Sequence, residues 1–299
     1  MKAVIFDKYG DPDVLHVGEV AEPHAGPGQV RIAVRASSVN PIDWKLRSGA
    51  LQEFMPVELP KVVGYDGAGV VDEVGEGADA SVGDEVFGFG AGDGTAAEHA
   101  VLDDFARKPA ELSFEEAAGY PVAVETSVRA LELLGLEPGQ TVLVNGAAGG
   151  VGTAAVQIAR ARGARVIGTA GESNHDFLRE LGAEPTTYGE GLVERVRELG
   201  GADLAFDTAG AGAIPDLVEI TGSPDRVITI ADYAAPEYGV RVTGGEDGRY
   251  VHGLAEAARL WEQGSFRLPV QRPYPFAEAA EAHRASQAGH VRGKLVLVP

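Results

Sequence analysis

The stretch VLVNGAAGGVG, residues 142–152, has the makings of a site that works through backbone rather than side chains. After Asn145, six of the next seven residues are glycine or alanine, Val151 being the exception. An apolar run ends at Asn145 and a helix-period run follows, so the small residues fall on a strand-to-helix turn. A helix start carries N–H groups without intrahelical acceptors and the positive end of the helix dipole. Removing Cβ atoms there lets a phosphate approach those groups. The spacing Ala147-x-Gly149-x-x-Gly152 is a Gly-x-Gly-x-x-Gly turn with alanine in first place. Its middle position admits a pyrophosphate and its last lets the helix pack on the strand. A bare match of this kind also occurs in ordinary tight βα turns. The context decides: a strand before, a helix after, and a second strand, ARVIGTA, about 20 residues on. Ala147, Ala148, Gly149, Gly150, Val151 and Gly152 are therefore expected to hold the pyrophosphate of a dinucleotide.

The elements that position this turn follow from the pattern along the chain. Up to about Leu112 the sequence reads as strands and turns. KAVIF opens with a strand, QVRIAVRASSV alternates, and GAGVVDEVGEGADASVGDEVFGF breaks Val-rich runs with Gly-Asp turns. The acids of that last run lack the ligand spacing of a calcium loop. From Ser113 the period turns helical, and Ser113 with Glu116 fits a capping box. TVLVN, ARVIGTA, ADLAFDTAG and DRVITIA are strands separated by helices, the pattern of parallel βαβ units. GLAEAARLWEQGSF is an amphipathic helix and GKLVLVP a closing strand.

Composition narrows the partners. The 299 residues suffice for two domains. There is no cysteine, which removes disulfides, Cys-ligated zinc and a Cys nucleophile. With 25 basic and 45 acidic side chains the net charge is −20, which disfavours nucleic acid and anionic membranes as partners. An anionic cofactor must then be held by local devices. The seven histidines are scattered without metal-ligand spacing. No apolar run is long enough to span a membrane, and the start of the chain lacks a signal-peptide core. A cytoplasmic location is expected.

Five segments in order resemble the medium-chain dehydrogenase/reductase superfamily, in its zinc-free quinone oxidoreductase and enone reductase branch. They are SVNPIDWKLRSG (38–49), VVGYDGAGVVDEVG (62–75), TVLVNGAAGGVGTAAVQIARARGARVIGTA (141–170), NHDFLRELGA (174–183) and GKLVLV (293–298). The resemblance implies an α/β chain: a GroES-like β-rich catalytic domain over 1–117 and a Rossmann domain with a doubly wound parallel sheet over 118–250. Residues 251–299 return to the first domain, and a homodimer forms through the edge of the Rossmann sheet. Asn40 stands where zinc-binding members carry a cysteine, and Tyr65 and Asp66 stand at their His-Glu pair. No metal is expected. Without that Lewis acid, the acceptor must itself delocalise negative charge, as quinones and α,β-unsaturated carbonyls do. The implied activity is NADPH-dependent hydride transfer to such an acceptor, with the proton from Tyr65 or water.

The resemblance also assigns residues. Asn40, Asp43 and Lys45 lie in the segment that faces the nicotinamide in relatives. Asn40 is a donor to a substrate carbonyl or cofactor hydroxyl, or a turn residue before Pro41. Lys45 stabilises an enolate or binds ribose, or is a solvated surface lysine. Asp43 orients its neighbours, and Tyr65 is a proton donor or a packed aromatic. Thr126 touches the nicotinamide; Thr208, Ala209 and Ile230 line its ribose; Arg292 and Lys294 sit near the cofactor. Ala170 ends ARVIGTA where an NAD site carries an acid, which favours NADPH, with Ser173, Asn174 and Tyr188 as neutral donors and Glu172 opposing. A thioester enoyl reductase, a tailoring reductase and a non-catalytic NADP(H)-binding sensor remain as alternatives. A short-chain dehydrogenase is excluded, because the glycine turn lies mid-chain and no Tyr-x-x-x-Lys occurs.

Overall fold

The computed structural model describes residues 1–92 and 94–299. The chain divides into two compact units, Met1–Val122 with Leu268–Pro299, and Ala123–Arg267.

In the first unit, β1 (Lys2–Phe6), β2 (His16–Glu19), β3 (Val30–Val39), β4 (Lys61–Val62), β5 (Asp66–Val74), β6 (Glu85–Gly90) and β7 (His99–Arg107) follow in turn. Helix α1 (Pro41–Ser48) follows β3, and α2 (Phe114–Ala118) follows β7. β3 pairs antiparallel with both β5 and β7, and β6 bridges those two, so four strands close on themselves. Closure needs one apolar face to turn inward, and the alternation of β3 supplies it. Val30, Ile32 and Val34 are buried against Val71, Val86, Ala100 and Leu102. The Ser113 hydroxyl accepts the Glu116 N–H at 3.2 Å and donates to the Glu116 carboxylate at 3.1 Å. The helix so capped is shorter than the sequence pattern predicts: it ends before Gly119, and α3 (Tyr120–Leu133) starts anew.

The second unit holds β8 (Thr141–Asn145), α4 (Gly150–Ala161), β9 (Arg165–Thr169), α5 (His175–Glu180), β10 (Glu184–Thr186), α6 (Leu192–Glu198), β11 (Leu204–Asp207), α7 (Ile214–Thr221), β12 (Val227–Thr229), β13 (Arg241–Val242) and α8 (His252–Glu262). The sheet order is β10-β9-β8-β11-β12-β13, every pair parallel. This is the doubly wound Rossmann order, and its direction reverses between β8 and β11. Leu143, Ile167, Ala205 and Val227 are packed beneath Leu192, Val196, Ile214 and Leu217. In sheets of this order ligands bind outside the strands' carboxyl ends where the direction reverses, which here is beside Asn145 and Asp207.

The first unit resumes with β14 (Val270–Pro275), α9 (Ala279–Gln287) and β15 (Lys294–Val298), the last antiparallel to β3. The division falls at Val122 and Arg267, against the 117 and 250 read from the sequence. Helix α8 explains the later return. It buries Leu254, Ala257 and Leu260, and Gly253 lies so close to α3 that a Cβ would stand 2.7 Å from Val128. Among the described residues, no helix is long and apolar enough to cross a membrane.

Candidate cofactor cradle and polar cluster

The glycine turn after β8 has three positions with three different jobs. Gly146 has φ +84°, a left-handed conformation, and a Cβ on it would strike Thr208 and Ala209. Gly152 sits against the turn itself: a Cβ there would lie 2.2 Å from the Gly146 carbonyl oxygen. Gly149 is different. It caps α4 with φ −73° and ψ 176°, which any residue adopts, and a Cβ there would meet only the Gly146 oxygen at 3.5 Å. Space is therefore left in front of the α4 N-terminus, where N–H groups ahead of Thr153 lack intrahelical acceptors. Ala147 and Ala148 are buried at the turn, and the Ala147 N–H is tied to the Thr169 carbonyl at 3.0 Å. This open, side-chain-free space suits a pyrophosphate.

The turns after β9 and β10 carry the other residues expected at this end. Ala170 directly follows β9 and is buried, with its N–H on the Thr186 carbonyl. Ser173 is exposed and Asn174 half-buried in the next turn, with Glu172 exposed beside them. Tyr188 is 64% exposed after β10. The loop carrying it is held by Arg195, which donates to the carbonyls of Thr187 at 2.9 Å and Glu190 at 2.7 Å. At the carboxyl ends of β8, β11 and β12, the Thr208 hydroxyl donates to the Asn145 carbonyl at 2.7 Å, and the Ile230 N–H reaches the Asp207 carbonyl at 3.1 Å. Ala209 follows Thr208 with its N–H on the Asp207 carboxylate. Thr126, on α3, is buried; its hydroxyl is 3.4 Å from the Glu125 carboxylate, which pairs with Arg129. The hydroxyl of its neighbour Ser127 lies 2.7 Å from the Ala123 carbonyl and 3.0 Å from the Val151 carbonyl, sharing its one hydrogen between α3 and α4.

In the first unit the structure gathers Asn40, Asp43, Asp66 and Lys294 into one buried polar cluster. The strand register does this: Leu295 faces Val39, so Lys294 of β15 comes beside Asn40 at the end of β3. The Lys294 ammonium donates to Asn40 Oδ1 at 2.5 Å. Asn40 Nδ2 donates to Asp66 Oδ1 at 2.7 Å and to the Ser38 hydroxyl at 3.0 Å. Ser38 also donates to Asp66, whose other oxygen accepts the Val122 N–H at 2.9 Å. Asp43, in the first turn of α1, accepts the Asn40 N–H at 2.7 Å. Burial pushes the Asp43 carboxyl up to about 7, against the lowering effect of that N–H bond, and the Asp66 carboxylate adds to the rise. Burial likewise lowers the Lys294 ammonium, opposed by Asp66 and Asp43. Both hydrogens of the Asn40 amide are thus committed inside the protein.

Lys45 lies further along α1, half-buried, with its ammonium 5.8 Å from the Trp44 ring centre and its pKa lowered by burial. Tyr65 is half-buried, and its carbonyl accepts the Gly90 N–H. Arg292 is exposed in the loop before β15, its backbone N–H on Gln271. No group of three or more His, Cys, Asp or Glu side chains arranged to hold a metal exists among the described residues.

Two family models match this chain: the alcohol dehydrogenase GroES-like domain over residues 26–108 and the zinc-binding dehydrogenase model over 150–239. Human quinone oxidoreductase is 30% identical, the alignment covering all of this chain and 98% of that one. The chloroplastic NADPH-dependent alkenal/one oxidoreductase of Arabidopsis thaliana is 31% identical over all of this chain and 80% of its own length. A solved structure described as an NAD-dependent alcohol dehydrogenase superposes with a TM-score of 0.86 at 32% identity, covering 100% of both chains. The chain belongs to the medium-chain dehydrogenase/reductase superfamily, in its zinc-free quinone oxidoreductase branch.

Within this superfamily member, sequence reasoning missed three things. Gly146, one residue before the Ala147–Gly152 spacing, takes the left-handed conformation that makes the turn; a glycine directly after an apolar strand was the available signal. Asp66 is the hub of the first-unit cluster, and its signal was an acid inside the apolar run VVGYDGAGVV. Arg195 had no local signal, because its role depends on carbonyls brought to it by the fold.

Proposed function

We propose that this protein is an NADPH-dependent, zinc-independent reductase of quinones and α,β-unsaturated carbonyls. The observation that carries the reading is the open space at Gly149, bounded by backbone and small residues at the start of a twelve-residue helix. When bound there, a reduced nicotinamide dinucleotide supplies a hydride to an acceptor able to delocalise the charge. Asn40, Asp43, Lys45 and Tyr65 are the proposed acceptor-side residues, and the balancing proton comes from the Tyr65 phenol or from water. With the Asn40 donors committed to Ser38 and Asp66, Asn40 meets the substrate only by exchanging one of those bonds. Zinc independence is supported by the cluster's own charge balance: the Lys294 ammonium answers the carboxylates that a divalent cation would otherwise seek. Thr126, Thr208, Ala209, Ile230 and Arg292 are proposed for the nicotinamide half, and Ala147 through Gly152 for the pyrophosphate.

NADPH is favoured because no carboxylate stands at Ala170, while Ser173, Asn174 and Tyr188 offer neutral donors. A curated relative named as NADPH-dependent supports this, and Glu172 is the residue that argues the other way. A cytoplasmic homodimer through the two-residue edge strand β13 completes the proposal, and light scattering checks the dimer. The activity test follows absorbance at 340 nm with NADPH or NADH against 1,4-benzoquinone, 9,10-phenanthrenequinone and a short enone. Saturable oxidation of NADPH in preference to NADH is expected. Preference for NADH moves the cofactor assignment onto Glu172, and inertness with every acceptor overturns the reductase reading.

A further inference from the structure

Four strands of the Rossmann sheet end in polar residues that share one row. Thr169 of β9 faces Asn145 of β8, Asn145 faces Asp207 of β11, and Asp207 faces Thr229 of β12. All four side chains are buried. Each is bonded to the next: Thr169 Oγ1 donates to Asn145 Oδ1 at 2.6 Å, Asn145 Nδ2 to Asp207 Oδ1 at 2.8 Å, and Thr229 Oγ1 to Asp207 Oδ2 at 2.7 Å. Every donor points toward Asp207, the only charged member and the final acceptor.

The row also grips the loops that follow it. Thr169 Oγ1 accepts the Gly146 N–H at 3.1 Å. Asp207 Oδ1 accepts the N–H groups of Ala209 at 3.1 Å and Gly210 at 2.9 Å. Thr229 Oγ1 accepts those of Ala231 at 3.0 Å and Asp232 at 3.1 Å. Each threonine hydroxyl, having accepted a backbone N–H, can only pass its own hydrogen along the row. A central anion strengthens both arms, since bonds in such a chain polarise one another. Three loops are therefore referenced to one carboxylate: the glycine turn, the Thr208–Gly210 turn and the turn after Ile230.

We propose that Asp207 is the positioning residue of the cofactor site, acting through Asn145, Thr169 and Thr229 to set the spacing of the three loops. It touches neither cofactor nor substrate. The inference rests on the dinucleotide reading above. An asparagine at 207 has the same size but presents an NH2 group where the row supplies only donors, so the loops lose their common reference.

The test is fluorescence titration of NADPH and of adenosine 2′,5′-bisphosphate, run well below each variant's melting temperature. Asp207→Asn is expected to weaken NADPH binding at least tenfold. Thr169→Val and Thr229→Val, which each remove one hydroxyl at constant volume, are expected to weaken it a few-fold. Thr229→Val, which loosens most directly the loop beside Ile230 and leaves the Thr169–Asn145–Asp207 arm its own hydrogen bonds, should leave the bisphosphate affinity within twofold, which a general loss of structure would not do. Wild-type-like NADPH affinity in Asp207→Asn overturns the inference; should that variant not fold, unchanged affinity in both threonine variants does so. Equal weakening of both ligands by Thr229→Val also overturns it. A wild-type protein that binds neither NADPH nor NADH overturns the dinucleotide reading instead, and this inference with it.

Discussion

The glycine turn of the second unit and the polar cluster of the first solve opposite problems. At the turn, function requires side chains to be absent, and the binding groups are backbone N–H donors that every sequence possesses. In the cluster, function rests on side chains, and four of them are buried only because each answers another: Lys294 to Asn40, Asn40 to Asp66, Asp43 to the Asn40 backbone. The difference teaches where each site is vulnerable. The turn fails by addition of atoms, while the cluster fails by loss of a partner.

Adding atoms at Gly149 should have the largest effect. Gly149→Val places methyl groups in the pyrophosphate space while meeting little of the protein, so NADPH affinity should fall at least 1,000-fold, about 4 kcal/mol, with the melting temperature nearly unchanged. Gly152→Val reverses the outcome, because its Cβ collides with the turn's own backbone; there the melting temperature should fall. Equal binding by Gly149→Val and wild type would mean the space is not a phosphate site.

Removing a partner from the cluster comes next. Lys294→Met leaves Asp66 and Asp43 without their buried cation and should cost roughly 3 kcal/mol in urea unfolding. A variant as stable as wild type would show that the ammonium is not what balances the carboxylates.

The cluster should also respond to pH as the turn does not. The Asp43 carboxyl is raised in the fold, so the native state holds its proton more tightly than the unfolded chain. That contribution is complete below the unfolded pKa of about 4 and is lost as pH rises through about 7. Between pH 5 and 7 it amounts to on the order of 2 kcal/mol. Asp43→Asn should remove this part of the slope from stability measured across pH, and an identical slope in the variant would contradict the assignment.

The smallest effect concerns the cofactor's adenosine end. Glu172→Ser should raise the preference for NADPH over NADH about threefold by removing one exposed negative charge near the expected 2′-phosphate. No change in the ratio of kcat/KM values would place the 2′-phosphate elsewhere.

The two regions also differed in how far they could be read from sequence. The turn was legible because its elements are contiguous: TVLVN, the small residues and the helix occur within one βαβ unit. The sheet topology followed from the same alternation. The cluster was legible only in part. Asn40 and Asp43 share one segment, and Lys294 is placed near the cofactor only by the resemblance; that Lys294 and Asp66 meet Asn40 depends on strand register, which local patterns do not encode. The Asp207 row was invisible for the same reason, its members being polar ends of four separate strands. The late return to the first unit had a similar cause. The GLAEAARLWEQGSF helix showed its apolar face but not which partner would cover it.

The most direct measurement is NADPH oxidation at 340 nm with 1,4-benzoquinone, by wild-type protein dialysed against EDTA and then with zinc added back. A backbone-held cofactor and a cluster balanced by Lys294 predict saturable oxidation that neither treatment changes. Activity that vanishes with the chelator and returns with zinc, or no oxidation at all, would contradict the account.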